Sequence, residues 1–196
     1  MTRPPRRPPK VMVEDARTYT VEASARVLAY WDRVRGDNFA PALGRDLHLD
    51  EMEVSLIPCI SIVDVLKDED DFFYRFWGTR NVDVKGVELT WKRLSEAPLP
   101  SIVENGRFQF SEVVRRRAPT AFIYVDHYNS AIPREQTTFR FPLSSDGVKV
   151  DGILSYQDLD NQSDKWIPMF ENMWDGERPD LRLGRTPVAR GEPADC

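Results

Sequence analysis

Residues 57–79 read IPCISIVDVLKDEDDFFYRFWGT, and this stretch decides the fold. The polar run Asp68-Glu69-Asp70-Asp71 separates two runs rich in β-branched and aromatic residues, which is a hairpin signal. With those four residues as the loop, Lys67 faces Phe72, Val65 faces Tyr74, Asp64 faces Arg75 and Val63 faces Phe76. Side chains alternate between the faces of a strand, so Val63, Val65, Phe72, Tyr74 and Phe76 share one apolar face. The other carries Ile62, Leu66, Phe73 and Trp77 around the Asp64 and Arg75 pair, an opposite-charge pair of the kind that stabilises neighbouring strands. A solvated face has no need of Phe73 and Trp77. The pattern therefore predicts a sheet covered on both sides.

The chain has 196 residues, 41% of them hydrophobic and 11% aromatic, enough for one domain with a real core. Its net charge of −5 is unevenly spread, because the first ten residues (MTRPPRRPPK) hold four basic groups and no acid. The remainder is acidic, which argues against a nucleic-acid-binding body. Two cysteines, Cys59 within a strand and Cys196 at the end, make no disulfide framework and predict a reducing, cytoplasmic setting. The apolar runs all fall short of the roughly 20 residues that span a bilayer, and the basic N-terminus lacks the apolar segment of a secretion signal.

Residues 1–20 read as a basic, proline-rich tail. From Val21 to Arg35 the period turns helical, with Val27, Leu28, Trp31 and Val34 on one stripe, Thr20 as N-cap and Gly36 after the end. Residues 37–53 read as a connector with a helical turn near Asp50. After the hairpin, Leu89 to Ser95 predicts one or two helical turns with Trp91 and Leu94 facing in. Residues 101–117 are helical again, with Gly106 as an interruption, Arg115-Arg116-Arg117 in the last turn and Pro119 beyond it. Three strands follow at residues 120–128, 137–143 and 148–158. The last two are joined at Ser144-Ser145-Asp146-Gly147, where Asp-Gly suits a tight hairpin. That hairpin puts Val150, Gly152 and Leu154 on the face of Phe139 and Phe141, with Arg140 opposite Asp151 or Ile153. Residues 161–196 read as an appended segment: Trp166, Phe170, Met173 and Trp174 fall at helical spacing, and a disordered, Pro- and Gly-rich tail follows. Five strands in the order β-β, helices, β-β-β predict an α+β domain over residues 21–160.

That order resembles a PAS domain, and most closely the stand-alone PAS family common in alphaproteobacteria. The residues that carry the resemblance are Tyr30-Trp31 with Arg35-Gly36, Tyr74-Arg75 followed by Gly78-Thr79, and Phe141-Pro142-Leu143. It covers residues 27–158 and departs after Arg45-Asp46, where Leu49-Asp50-Glu51 stands in place of an expected proline. The resemblance implies a five-stranded antiparallel sheet whose short helices close one face around a small ligand, with the N-terminal helix on the other face or in a dimer. It implies a sensory or regulatory module rather than an enzyme.

Within that frame Tyr74, Phe76, Trp91, Tyr124 and Phe139 are the expected pocket residues. Leu28, Trp31, Trp166, Phe170 and Trp174 are the expected contacts for a homodimer or a signalling partner. The helical region 80–117 contains no cysteine, which excludes a cysteinyl-flavin adduct, and no histidine to ligate haem, for which His127 on the third strand is a poor substitute. The cofactor is thus left unknown. His48 and His127, the only histidines, lie in no recognisable nucleophile–base setting, and the acidic run 68–71 lacks the spaced ligands of a calcium loop. Two alternatives compete with the sensor: an enzyme on a ketosteroid-isomerase-like cone, with Asp126 as its carboxylate, and an interaction protein with a filled core.

Overall fold

The computed structural model describes residues 10–67, 71–126 and 134–159. Its strands are β1 (Lys10–Asp15), β2 (Ile60–Val65), β3 (Phe72–Trp77), β4 (Thr120–Asp126), β5 (Arg134–Leu143) and β6 (Gly152–Gln157). Its helices are α1 (Glu22–Arg35), α2 (Thr79–Lys85) and α3 (Pro100–Arg116). All strands pair antiparallel in one sheet of order β1-β4-β5-β6-β2-β3. The fold is α+β, with six strands where the sequence predicts five.

The sixth strand comes from the stretch read as a tail. Val11 and Val13 lie opposite Tyr124 and Phe122, and β1 covers an edge of β4 that would otherwise present unpaired backbone groups. The domain therefore begins before residue 20. Residues 1–9 and 160–196, with Trp166, Phe170, Trp174 and Cys196, lie outside the described residues, as do 68–70 and His127.

The β2–β3 hairpin forms, but in another register. Val65 lies opposite Phe72, Asp64 opposite Phe73, Val63 opposite Tyr74 and Ile62 opposite Phe76. The register shifts between Ile62 and Val63, so Arg75 is the extra residue of a β-bulge. A bulge adds one residue to one strand and reverses the alternation beyond it. Phe76 therefore packs with the cluster that contains Ile60, Ile62, Phe139, Phe141 and α1, while Trp77 joins Val63, Phe72, Tyr74 and α3. The expected grouping of Phe76 with Tyr74, and of Trp77 with Ile62, is inverted. Asp64 and Arg75 still pair, at 2.6 Å, but diagonally.

Both faces of the sheet are covered. On one, α1 buries Val27, Tyr30 and Trp31 against Phe139, Phe141, Leu154 and Tyr156. Its N-cap is Val21 rather than Thr20, and the Ser24 hydroxyl accepts the Val21 N–H at 2.9 Å. The Trp31 indole N–H donates to Pro142 O at 2.8 Å. Pro142 has no N–H to give a neighbour and needs none, because β4 starts at Thr120, opposite Arg140, and does not reach it. Arg17 and Arg35 both bind Asp32 and lie over the Trp31 ring, and Arg26 and Arg33 bind Glu53 and Glu51, which lashes α1 to the connector. On the other face, α3 buries Phe110 and Val113 against Phe72, Tyr74 and Phe122. Gly106 does not interrupt α3: it is buried, and a Cβ there would lie 2.7 Å from a Leu94 methyl. Arg115 and Arg116 are taken up by Glu112.

Two further expectations are corrected. Leu94 is buried in a short 3-10 turn, but residues 89–92 form a hydrogen-bonded turn that puts Trp91 in the left-handed region at φ 62° and lays it along β3: Trp91 N–H donates to Tyr74 O at 2.7 Å and Tyr74 N–H to Lys92 O at 2.9 Å. This backbone pairing along the edge of β3 replaces the expected helical turn and leaves Trp91 67% exposed. The β5–β6 connection is not a tight turn either. Leu143 pairs with Gly152 and Arg140 with Ser155, so residues 144–151 form the loop. The Asp146 carboxylate accepts the Val148 and Lys149 N–H groups at 2.7 and 2.8 Å, and Ser144 N–H donates to Pro41 O, so the loop closes on itself before the strand begins. Val150 consequently packs with the α3 face, not with Phe139.

Gly78, where β3 passes into α2, has no room for a side chain. Its N–H donates to Ile60 O at 2.8 Å, and a Cβ would stand 2.3 Å from Pro58 O, a backbone atom that cannot swing aside. Gly78→Ala is expected to destabilise the domain by about 2 kcal/mol or more. Urea denaturation followed by circular dichroism measures it, and an unchanged midpoint would show that Pro58 yields freely.

Candidate functional site

The five residues expected to line one pocket are not brought together. Tyr74 and Tyr124 belong to the α3 face, Phe76 and Phe139 to the α1 face, and Trp91 is exposed beside Phe73. Trp31 is 1% exposed and bound to Pro142, so its surface is used inside the domain, and Leu28 packs against the same core. The backbone of Asp126 ends β4.

What the α3 face does collect is polar. Residues opposite one another in neighbouring strands share a face, and the registers put Ser61, Ser155, Arg140 and Thr120 in one row across β2, β6, β5 and β4. Trp77 continues the row on β3. All five are buried; Ser61 and Ser155 are 0% exposed and Arg140 6%. A row of this kind beneath a helix is unusual, because burying polar groups costs free energy unless each is hydrogen-bonded.

Arg140 is the centre of the row. Its Nε donates to Gln109 Oε1 on α3 at 2.7 Å, and an Nη donates to Ser155 Oγ at 2.7 Å. The guanidinium lies over the Phe110 ring, 4.1 Å from its centroid. Gln109 in turn donates through Nε2 to the Tyr124 hydroxyl at 2.7 Å, which also reaches Asn105 Oδ1 at 3.4 Å. Gln109 thus offers its acceptor to the arginine and its donor to the tyrosine, a polarity that fixes its amide orientation. Among the described residues no carboxylate pairs with Arg140.

A second cation lies at the Trp77 end of the row. Lys85, the last residue of α2, is half-buried with Nζ 4.8 Å from the centroid of the Trp77 ring, whose N–H donates to Val87 O at 2.9 Å. Burial, and then the charge of Arg140, push the Lys85 ammonium down to about 7. Burial lowers Arg140 to about 10, opposed by Tyr74 and Tyr124, so it remains cationic at neutral pH. Tyr74 is pushed up to about 12 by burial against the pull of Arg140. Two atoms on this face complete the picture: Ser61 Oγ and Gln157 Oε1 are buried with no hydrogen-bond partner among the described residues. Gln157 lies opposite Thr138 on β5, two residues from Arg140.

The sequence carried one signal for this site that its reading passed over. Arg140 stands between Phe139 and Phe141, so strand alternation puts it on the face away from those rings, and β6, with Ser155 opposite, is buried at every position. An arginine in a strand flanked on both sides by buried strands has nowhere to be solvated.

A lysine that folding holds near neutrality makes stability depend on pH. The unfolded chain binds the Lys85 proton up to about 10.5 and the folded chain only up to about 7, so stability rises with pH between those values. Lys85→Met is expected to remove that rise. Denaturation midpoints of both proteins from pH 6.5 to 9.5 measure it, and parallel curves would show that Lys85 is well solvated.

Compared with known proteins, the chain matches no family model, no curated protein and no solved structure.

Proposed function

We propose that this chain holds a PAS-type sensory or regulatory module. It binds a small ligand between α3 and the sheet and passes its state on through dimer or partner contacts, without catalysing a reaction. The order of elements from β2 to β6 supports the reading: two hairpin strands, short helices, one longer helix ending near Pro119, then three antiparallel strands. So does the placing of helices, with α3 over one face and α1 over the other. The extra strand β1 lies at the sheet's edge and leaves both covered faces as they are.

The observation that carries the reading is the buried polar row centred on Arg140. A filled structural core is better made from apolar groups, because replacing a buried charge by well-packed hydrophobic side chains is often neutral or stabilising. A charge kept in place beneath a helix suits a protein whose interior has something to recognise. This favours the ligand-binding module over the adaptor with a filled core.

Native mass spectrometry of gently purified protein, beside its denatured mass, tests the reading. A defined mass excess per subunit is expected, and removing it by partial unfolding and refolding is expected to change the monomer–dimer balance seen in light scattering. Bare subunits whose association never changes would overturn it.

A further inference from the structure

We propose that Arg140, Ser61, Ser155 and Lys85 form a binding site for a small organic anion, held by its carboxylate or phosphate group between α3 and the sheet. The inference names the ligand class for the regulatory module and rests on that reading for what binding would do. The site itself stands on three separate observations.

The first is charge. Arg140 is 6% exposed, yet it pairs with no carboxylate among the described residues. Its bonds to Gln109 and Ser155 use two of a guanidinium's five N–H donors, and both acceptors are neutral. A buried cation compensated only by amide, hydroxyl and ring dipoles is an unfinished electrostatic arrangement. An oxyanion, taken bidentately through two of its oxygens by the remaining N–H groups, completes it.

The second is the orphaned hydroxyl. Ser61 Oγ is fully buried with no hydrogen-bond partner among the described residues, and Ser61 lies directly opposite Ser155, which lies directly opposite Arg140. A serine hydroxyl at that position can donate to an anion seated on the guanidinium. Gln157 Oε1, orphaned on the same face, can accept from a hydroxyl of the same molecule.

The third is the second cation. Lys85 lies over Trp77, and Trp77 is the neighbour of Ser61 in the row. The row from Trp77 to Arg140 crosses three strand spacings of about 4.8 Å, with Arg140 reaching along it to Ser155 and Lys85 lying over its Trp77 end. That span suits a molecule of a few carbon atoms. Burial first, and the charge of Arg140 second, hold the Lys85 ammonium below its usual range, and an anion between the two cations relieves the second of these. Neutral or cationic ligands gain nothing from this arrangement.

The test is the stability of the full chain in succinate, and separately in inorganic phosphate, against sodium chloride of matched ionic strength. At least one of the two is expected to raise the unfolding midpoint in a saturable way, with the folding constant growing about elevenfold at ten times the dissociation constant. Succinamide, the neutral counterpart of succinate, is expected to do nothing. Arg140→Met is expected to weaken binding about 100-fold or more, and Lys85→Met, which keeps the centre of the site, about tenfold. If Arg140→Met does not fold, Lys85→Met and Ser61→Ala carry the comparison. The proposal is overturned if neither anion stabilises the wild-type chain, or if the variants respond as it does. Anion binding with no effect on association would leave the site standing and sink the regulatory reading. A neutral molecule found on the purified protein, with no response to either anion, would do the reverse.

Discussion

One extra residue in β3 governs how the two sides of this molecule are built. Without the bulge at Arg75, Phe76 would point to the α3 face and Trp77 to the α1 face. With it, Trp77 reaches the α3 face, donates to Val87 O, and gives Lys85 a ring to lie across. Phe76 is left to pack beside Ile62 under α1. The ion pair between Arg75 and Asp64 spans the irregularity at 2.6 Å on the solvent side. Exposed pairs contribute at most about 1 kcal/mol, so the bulge is held chiefly by the two aromatic side chains that it sends in opposite directions.

The two faces that result are chemically unlike. The α1 face is apolar: Trp31, Phe139, Phe141, Leu154 and Tyr156 fill it, and the buried Trp31 indole N–H has its acceptor in Pro142. The α3 face holds aromatic residues as well, but around a core of Arg140, Gln109, Ser155 and Ser61. Transferring a guanidinium out of water costs several kcal/mol even after relaxation, and two hydrogen bonds to neutral acceptors return about half of that. The Phe110 ring at 4.1 Å lowers the deficit further. A domain with a wholly apolar α3 face would be the more stable one.

Much of this architecture was legible in the chain, and the limits have physical causes. The hairpin, the long helices, the cover on both faces and the three closing strands all follow from periodicity, because a buried face must repeat its apolar residues at the spacing of its element. A bulge leaves no such mark. Phe72, Phe73, Tyr74, Arg75, Phe76 and Trp77 are nearly all large and apolar, so the run reads equally well in either register and only packing against both layers settles it. The pocket residues went astray for the same reason: Tyr74 and Phe76 are two apart, which means one face in a regular strand and opposite faces across a bulge. Trp91 faces inward only if residues 89–95 are helical, but its N–H and Lys92 O pair with Tyr74 at the edge of β3, and its ring stays outside. Strand β1 was hidden by its neighbours, since the basic, proline-rich residues before Lys10 make Val11 and Val13 look like the end of a tail.

The row across the α3 face also has a short physical connection to the opposite layer. Arg140 and Pro142 are alternate residues of β5, and Pro142 O accepts the indole N–H of Trp31, the most deeply buried large side chain of α1. Pro142 lies opposite Ile153, which packs under α3, so the same stretch of backbone is gripped from both sides. Because β4 stops at Thr120, no neighbour on that side fixes β5 at Pro142, and its position there depends on β6, on Trp31 and on the Ser144 bond to Pro41. A ligand of the proposed class on Arg140 would act on a strand that β4 borders as far as Arg140 and that β6 and α1 hold two residues later. Close-packed interiors respond to such displacements by moving neighbouring groups together rather than by absorbing them. That makes α1, lashed to the connector by Arg26 and Arg33, the element through which a change at Arg140 would first be felt outside the sheet.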